Sequence, residues 1–363
     1  MKRRKFIKTA AAITGSAVAA SHLPKPALAQ ERVEMTIVSS WQRDFPGLGT
    51  GAQRFAENVS TASNGKIQIT YFAADEKVGA FDVFDAVASG DAQGYHSAEF
   101  YAVNKHPGFA YFAAVPFGMT PAEINAWIHF GGGQKLWDEL SAEFGLKAMP
   151  CGNSGIQWGG WFNKEVNSAE DLRGLRMRIP GLGANFFARL GGTPVSLSGG
   201  EVYEQLASGA IDAAEWAGPW NDEALRLHEA AKYYYYPGVH EPGAVTSFGV
   251  NASLWGRLAA SDRALLTACA RAENDTMLAE FNARNGAALA RLVDRHGVEL
   301  REFSDSICDA FAVAAEEVLE ETRRHSPLAR RIHESFAASR AEVSRYIELN
   351  DVNYITKRNA RIR

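Results

Sequence analysis

The stretch Val83-Phe84-Asp85-Ala86-Val87-Ala88-Ser89-Gly90-Asp91-Ala92-Gln93 returns 119 residues later as Val202-Tyr203-Glu204-Gln205-Leu206-Ala207-Ser208-Gly209-Ala210-Ile211-Asp212. Each copy reads as an amphipathic helix stopped by glycine and followed by a strand. Solenoid units span about 20 to 50 residues, so a period this long predicts two lobes of similar build and not a repeat array. Chance likeness between two glycine-capped helices is the competing explanation. On this register His96-Ser97 and Glu215-Trp216 stand at matching positions just past the two strands. Ligands of open α/β sheets bind outside the carboxyl ends of the strands, so both pairs are expected to look into one cleft.

Working outward, Val33, Met35 and Ile37 alternate as in a strand, and Ala52, Phe55, Ala56 and Val59 follow at helical spacing. After Ser63-Asn64-Gly65, the alternation of Ile67, Ile69 and Tyr71 completes a βαβ unit with a parallel sheet. Thr120-Pro121-Ala122-Glu123 is a capping box with proline at the first helical position, opening a helix that ends at Gly131-Gly132-Gly133. A glycine triplet that closes a helix is a weak phosphate signal. The glycine-punctuated, aromatic run from Cys151 to Phe162 is expected to cross between the lobes, and Tyr233 to Val250 to cross back. The last third is helical: Ser261 to about Arg295, Asp305 to His325, and Ser326 onward, with an apolar stripe of Leu328, Ile332, Phe336, Ile347 and Tyr354. That stripe either packs on the lobes or docks a second subunit.

The chain has 363 residues, 46% hydrophobic and 22% charged, with 33 Gly, which is the composition of an ordinary globular protein of two or three domains. Lys2, Arg3, Arg4, Lys5 and Lys8 precede the small, apolar stretch Thr9 to Ala20 and an Ala27-Leu28-Ala29 cleavage pattern. Residues 1–29 therefore read as a secretory signal peptide, with Arg3-Arg4-Lys5-Phe6-Ile7-Lys8 similar to the twin-arginine export motif. The apolar run is shorter than the roughly 20 residues that span a bilayer. Removing residues 1–29 leaves 32 basic and 42 acidic residues, a formal charge of −10, and nucleic acid is not an expected partner. Cys151, Cys269 and Cys308 lack any metal or disulfide spacing and read as buried thiols.

No HExxH, GxSxG, Walker or Rossmann pattern occurs. Arg176 and Arg178 alternate on a short strand closed by Pro180, and an arginine at a cleft offers a planar fork matched to a carboxylate. A surface or lobe-bracing ion pair is the plainer role for either. Glu215 lies among apolar neighbours, which is costly unless an arginine or a metal pairs with it. Gln157 and Glu241 add oxygen donors of the kind hard cations prefer.

These residues resemble the solute receptors of tripartite ATP-independent periplasmic (TRAP) transporters. The likeness rests on Asp171-Leu172-Arg173-Gly174-Leu175-Arg176-Met177-Arg178, on Leu190-Gly191-Gly192-Thr193-Pro194, on Val202 through Asp212 and on Tyr233-Tyr234-Tyr235-Tyr236-Pro237-Gly238. Gly152-Asn153-Ser154-Gly155-Ile156-Gln157 and Glu215-Trp216 are most similar to the branch that binds 2-oxo acids such as pyruvate, close to a sodium-dependent receptor that dimerises by exchanging C-terminal helices.

The resemblance implies an α/β, two-lobed periplasmic solute-receptor fold with an inter-lobe ligand cleft and long C-terminal helices. Residues 30–151 with 242–270 form lobe I, 152–241 with 271–325 form lobe II and a connecting helix, and 326–363 form the C-terminal helix. It implies that Arg178 grips the ligand carboxylate. Gln157, Glu215, the Trp216 carbonyl and Glu241 surround a metal cation, sodium favoured and calcium possible, that also touches the ligand. Asn153 adds a polar contact and Tyr101 an aromatic one. The expected ligand is pyruvate or a longer 2-oxo or 2-hydroxy monocarboxylate, handed to membrane permease subunits, with a homodimer through the C-terminal helix as a further partner. Two departures stand out: Val239-His240 before Glu241, where bulky aromatics are expected, and Glu99-Phe100 in place of a glycine and tyrosine, which together predict a wider pocket. The alternative is a periplasmic enzyme acting on a small carboxylate, with Glu215 or His96 as general base, but no nucleophile or second acid stands at a recognisable spacing.

Overall fold

A computed structural model describes residues 32–362 of the chain. The leader read at residues 1–29 lies outside the described residues.

Eleven strands run in chain order as β1 (Val33–Ser39), β2 (Ile67–Phe72), β3 (Gly94–Ser97), β4 (Leu146–Asn153), β5 (Gly160–Phe162), β6 (Arg176–Arg178), β7 (Thr193–Val195), β8 (Ala213–Ala214), β9 (Tyr233–Tyr236), β10 (Val245–Asn251) and β11 (Glu299–Glu302). They form two mixed sheets, ordered β2-β1-β3-β10-β4 and β11-β9-β5-β8-β6-β7. The first βαβ unit is parallel, with Val33 to Val38 opposite Ile67 to Phe72. The chain leaves the first sheet along β4 and re-enters it along β10, which is antiparallel to both β4 and β3.

The two echo segments fold alike. Helix Val83–Ser89 ends at Gly90 with φ +94° and leads into β3; helix Val202–Ala207 is followed by Gly209 at φ +72° and leads into β8. Both glycines take the left-handed turn that lets a helix stop and feed a strand. β3 then pairs in parallel with β1, and β8 with β6.

Helix Ala260–Asp294 spans the molecule without a break, so the boundary placed at 270/271 falls inside one helix. Its Leu266 and Ala270 pack with Phe55, Met149 and Phe248 of the first sheet's layer. Met277 lies against Gly152 of β4 and Thr246 of β10, and Phe281 and Leu292 join the cluster that holds Trp41 and Leu48 together with Trp161, Leu206 and Tyr234 of the second layer. Among the described residues no helix is long and apolar enough to cross a membrane.

The expected stripe on the last helices divides. Leu328, Ala329, Ile332 and Phe336 of helix Pro327–Ile347 are buried, with Phe336 edge-on to Tyr111 at 5.1 Å and to Trp127 at 5.2 Å. Tyr346, in the last turn of that helix, and Leu349, Val352, Tyr354 and Ile355 beyond it are exposed.

Candidate functional site

Every residue of the site stands at a strand end or on a crossing between the sheets. β6 and β8 run parallel with Arg178 opposite Ala214, and the Glu215 amide donates to the Arg178 carbonyl at 3.1 Å. That ladder fixes the side chains of Arg178 and Glu215 as neighbours. Gln157 lies between β4 and β5, Glu241 between β9 and β10, and Tyr101 on the 3-10 turn Glu99–Ala102 after β3. The Gln157 amide donates to the Glu241 carbonyl at 3.1 Å, so the two crossings are pinned to each other. Arg178, Gln157, Tyr101, Trp216 and Glu241 line one narrow cavity, and Trp41, Phe100, Ser154 and Thr246 are also part of its wall.

Two close approaches depend on glycine. Gly152 has φ +149°, and a Cβ there would stand 2.2 Å from Thr246 Oγ1. Gly181 has φ +60°, and a Cβ there would meet Phe100 Cβ at 2.8 Å. The second lobe's Pro180-Gly181 step can therefore close over Phe100 only without a side chain.

Arg178 is held on every side. Its Nη1 donates to the Glu215 carbonyl at 2.9 Å and to Glu215 Oε1, its Nε to the Leu197 carbonyl at 3.2 Å, and its Nη2 reaches the Tyr101 hydroxyl at 3.4 Å. The Trp216 ring lies under the guanidinium at 4.5 Å, a cation–π contact in a desolvated setting. Arg176, although on the same strand face, is solvent-exposed and pairs with Asp212 at 3.0 Å and the Gly209 carbonyl at 2.7 Å. Of the two arginines only Arg178 faces the cavity, and Arg176 braces the surface.

The acids are crowded. Glu215 is wholly buried, with Oε1 on Arg178 and Oε2 3.1 Å from His240 Nε2. Glu241 is buried too, and among the described residues its carboxylate takes no hydrogen bond. Burial first, then the neighbouring Glu215, pushes the Glu241 carboxyl well above its ordinary range, with Arg178 acting the other way. Burial lifts the Tyr101 hydroxyl to about 12, so it stays protonated.

Three buried polar atoms in this region lack partners: Gln157 Oε1 and Trp216 Nε1, on residues that line the cavity, and Asn153 Nδ2, whose residue stands behind the wall and does not line it. Buried polar atoms are paired in the great majority of cases, so each unpaired one is open to a partner such as water, an ion or a ligand. Gln157 Nε2 meanwhile donates to Ser154 Oγ at 3.2 Å, which fixes the amide with its oxygen free. Asn153 Oδ1 is used locally, accepting from the Gly155 amide at 2.8 Å. Among the described residues no group of three or more His, Cys, Asp or Glu could hold a metal. The donor set is thus two carboxylates with neutral oxygens, which suits a hard cation and not zinc or copper.

His96 does not join this site. It is fully buried beneath Trp41, accepting from Trp41 Nε1 at 2.8 Å through Nδ1, with Nε2 2.9 Å from the Cys151 carbonyl. Both ring nitrogens are consumed, and burial drops its pKa to about 4. It has no free lone pair with which to act as a general base, and Glu215, tied to Arg178 and His240, is no better placed. The departures noted in the sequence take the following places. His240 fills its place against Glu215, and Glu99 turns away, accepting from Tyr95 at 2.8 Å while Phe100 lines the wall.

Two supporting residues were missed. His240 orients Glu215, and the only trace of it in the sequence was its departure from the expected aromatic. Asp222 accepts from Trp161 Nε1 at 2.9 Å, the Tyr234 hydroxyl at 2.7 Å and the Ala217 and Gly218 amides, and so clamps the loop that carries Trp216. Burial holds its pKa up at about 6 against those four donors. Nothing in the local pattern around Asp222 sets it apart from a helix N-terminal acid.

Known proteins share this framework. Residues 38–325 match the model of the bacterial extracellular solute-binding proteins, family 7. A monocarboxylate 2-oxoacid-binding periplasmic protein of Nostoc sp. (strain PCC 7120) is 36% identical over 358 residues, 98% of each chain. A TRAP transporter solute-binding protein of Bordetella bronchiseptica RB50, a dimer with copurified calcium and picolinate, superposes with a TM-score of 0.89 at 30% identity, covering 92% of this chain and 99% of its own. A TRAP periplasmic solute-binding protein of Pseudoalteromonas atlantica T6c, with bound sodium and pyruvate, gives 0.87 at 33% identity, covering 90% and 99%. The extent of these matches, across both sheets and the cavity between them, makes the protein a solute-binding receptor and not an enzyme: it belongs to family 7 of the bacterial extracellular solute-binding proteins.

Proposed function

We propose that this protein is the periplasmic receptor of a TRAP transporter, capturing a small 2-oxo monocarboxylate together with a metal cation and delivering it to the membrane permease. The observation that carries the reading is the meeting, at one buried cavity, of Arg178, Glu241 and the unpartnered Gln157 Oε1, with a second acid, Glu215, paired to Arg178 directly behind the wall. Two carboxylates and an incoming anion against one guanidinium leave an excess of negative charge in a poorly solvated place, which costs several kcal/mol, on the order expected for unpaired buried ions. A cation held by Glu215, Glu241, Gln157 and the Trp216 carbonyl would reverse that local field. Arg178, with Tyr101 beside it, then receives the carboxylate, and Asn153 Nδ2 is a spare donor for a polar oxygen. The relative with bound sodium and pyruvate and the one with calcium and picolinate support the pairing of a hard cation with a carboxylate. Sodium is the favoured ion, calcium the alternative.

In this reading residues 30–151 with 242–270 and residues 152–241 with 271–325 act as the two lobes that close on the ligand. The basic, small-residue leader at 1–29 directs export, and the exposed apolar run past Tyr346 joins two copies as a homodimer. The deciding experiment is calorimetric titration of pyruvate into chelator-treated protein in an organic buffer free of sodium and potassium, repeated with sodium and with calcium added. Binding only when one cation is present supports the reading. Equal binding in all three conditions, with no metal retained by elemental analysis, rejects the cation site, and no heat with any 2-oxo acid rejects the ligand class.

A further inference from the structure

The turn Phe117-Gly118-Met119 ties the C-terminal helix to the crossing segment that carries His240 and Glu241. Arg340, on helix Pro327–Ile347, donates from Nη1 to the Phe117 carbonyl at 2.7 Å. The Phe117 amide donates in turn to the Val239 carbonyl at 2.7 Å. One peptide group thus accepts from the helix side and its neighbour donates to the site side, so a displacement at either end is felt at the other. Val239 is the residue before His240, whose Nε2 sets Glu215.

Two features make this turn stiff. Phe117 has φ +51°, in the left-handed region that a bulky side chain occupies only when its surroundings impose it. Gly243, two residues past Glu241, packs so closely on the turn that a Cβ there would lie 2.4 Å from the Met119 carbonyl. The helix end of the chain of contacts is equally well anchored. Trp127 Nε1 donates to Ser335 Oγ at 3.0 Å, Ser344 Oγ binds Glu123 Oε1, and Phe336 is buried against Trp127.

We propose that Arg340 is a positioning residue for the ligand site: by holding the Phe117 turn against Val239 it fixes His240 and Glu241, and through them the pair of acids that meet the cation and the 2-oxo acid. The proposal rests on the binding function proposed above. Coupling carried through packed, hydrogen-bonded elements of this kind changes affinity by roughly threefold to thirtyfold when a member is removed.

The test compares pyruvate affinity, by calorimetry in sodium buffer, for the wild-type protein, Arg340→Ala and Arg331→Ala. Arg331 lies on the same helix and, among the described residues, pairs with the exposed Glu139 alone, so its loss reports helix docking without the turn. The expected result is an affinity weakened about tenfold in Arg340→Ala and unchanged in Arg331→Ala, whatever their melting temperatures do. Equal affinities in all three proteins overturn the proposal, whereas a wild-type protein that binds no 2-oxo acid overturns the functional reading instead. Should Arg340→Ala fail to fold, hydrogen exchange on the wild-type protein decides. Pyruvate must slow exchange of the Phe117 amide, and an amide indifferent to saturating ligand refutes the link.

Discussion

Arg178 and Glu215 are joined twice, through Nη1 to the Glu215 backbone carbonyl at 2.9 Å and through the same nitrogen to its carboxylate, and both side chains are almost wholly buried. The residue that would receive a ligand carboxylate is therefore already committed to an acid. In the binding mode proposed above, a cation that draws on Glu215 would free part of the guanidinium for the ligand, and cation and carboxylate would then support each other at one site.

Arg178→Lys keeps the charge and loses the planar fork and the stacking on Trp216. The expected loss is about 2 kcal/mol, or roughly 30-fold in pyruvate affinity, measured by titration calorimetry. Arg176→Lys, at the exposed end of β6, should leave affinity unchanged. The reverse pattern would mean that the cavity is not where the carboxylate binds. Arg178→Ala is a poorer probe, since removing one member of a buried pair costs about 3–5 kcal/mol and would confound binding with folding.

Glu241→Gln should separate stability from function. The folded-state pKa of Glu241 lies above its unfolded value, so its contribution to stability is fully present below the unfolded pKa and is lost as pH rises. Glutamine does not titrate. In chelator, thermal melts should therefore show the variant matching the wild type near pH 4 and exceeding it near pH 8, while calorimetry shows cation-dependent pyruvate binding lost. A variant less stable than the wild type at pH 8 would show that the wild-type carboxylate is satisfied without a cation.

The parts of this site that the sequence displayed are those set by local pattern. The alternation of β6, ended by Pro180, placed Arg178, and the glycine-stopped helix before β8 placed Glu215 and Trp216 one step past a strand end. What it concealed is long-range. His96 sits at the position matching Glu215, yet Trp41 and the Cys151 carbonyl, 55 residues away on either side, close over both its nitrogens. The Arg340 to Phe117 bond spans 223 residues, and no periodicity encodes it. The helix Ala260–Asp294 carries one unbroken periodicity, so nothing in its pattern shows that Leu266 and Ala270 bury in one cluster while Phe281 and Leu292 bury in another.

Glu99 offers a second pH-dependent element, away from the cation. It is buried with Oε1 on the Tyr95 hydroxyl and Oε2 unpartnered, and burial raises its pKa from 4.5 to about 7. The protein should lose stability from this group as pH climbs from about 4.5 to about 7, by at most about 3 kcal/mol. Glu99→Gln keeps a hydrogen-bonding oxygen for Tyr95 and removes the charge. The variant should melt higher than the wild type at pH 8 and equally at pH 4, and a constant offset across the range would assign the effect to packing.

The last prediction concerns the far end of the chain. Tyr346, Leu349, Val352 and Ile355 recur every three residues through the π-helical turn Glu348–Val352, and Tyr346 and Leu349 are 65% and 67% exposed. A run of large apolar side chains open to water is a costly surface for a monomer and marks an interaction site. Leu328, Ile332 and Phe336, by contrast, already anchor the preceding helix in the core. Ending the chain after Arg345 removes the exposed run while leaving that anchor, the Ser344 to Glu123 contact and Arg340 in place. The shortened protein should fold and keep its pyruvate affinity, but light scattering at micromolar concentration should give it about half the mass of the protein that keeps residues 346–363. Equal masses for the two would mean that the exposed run does not join two copies, and its apolar side chains would then face a different partner.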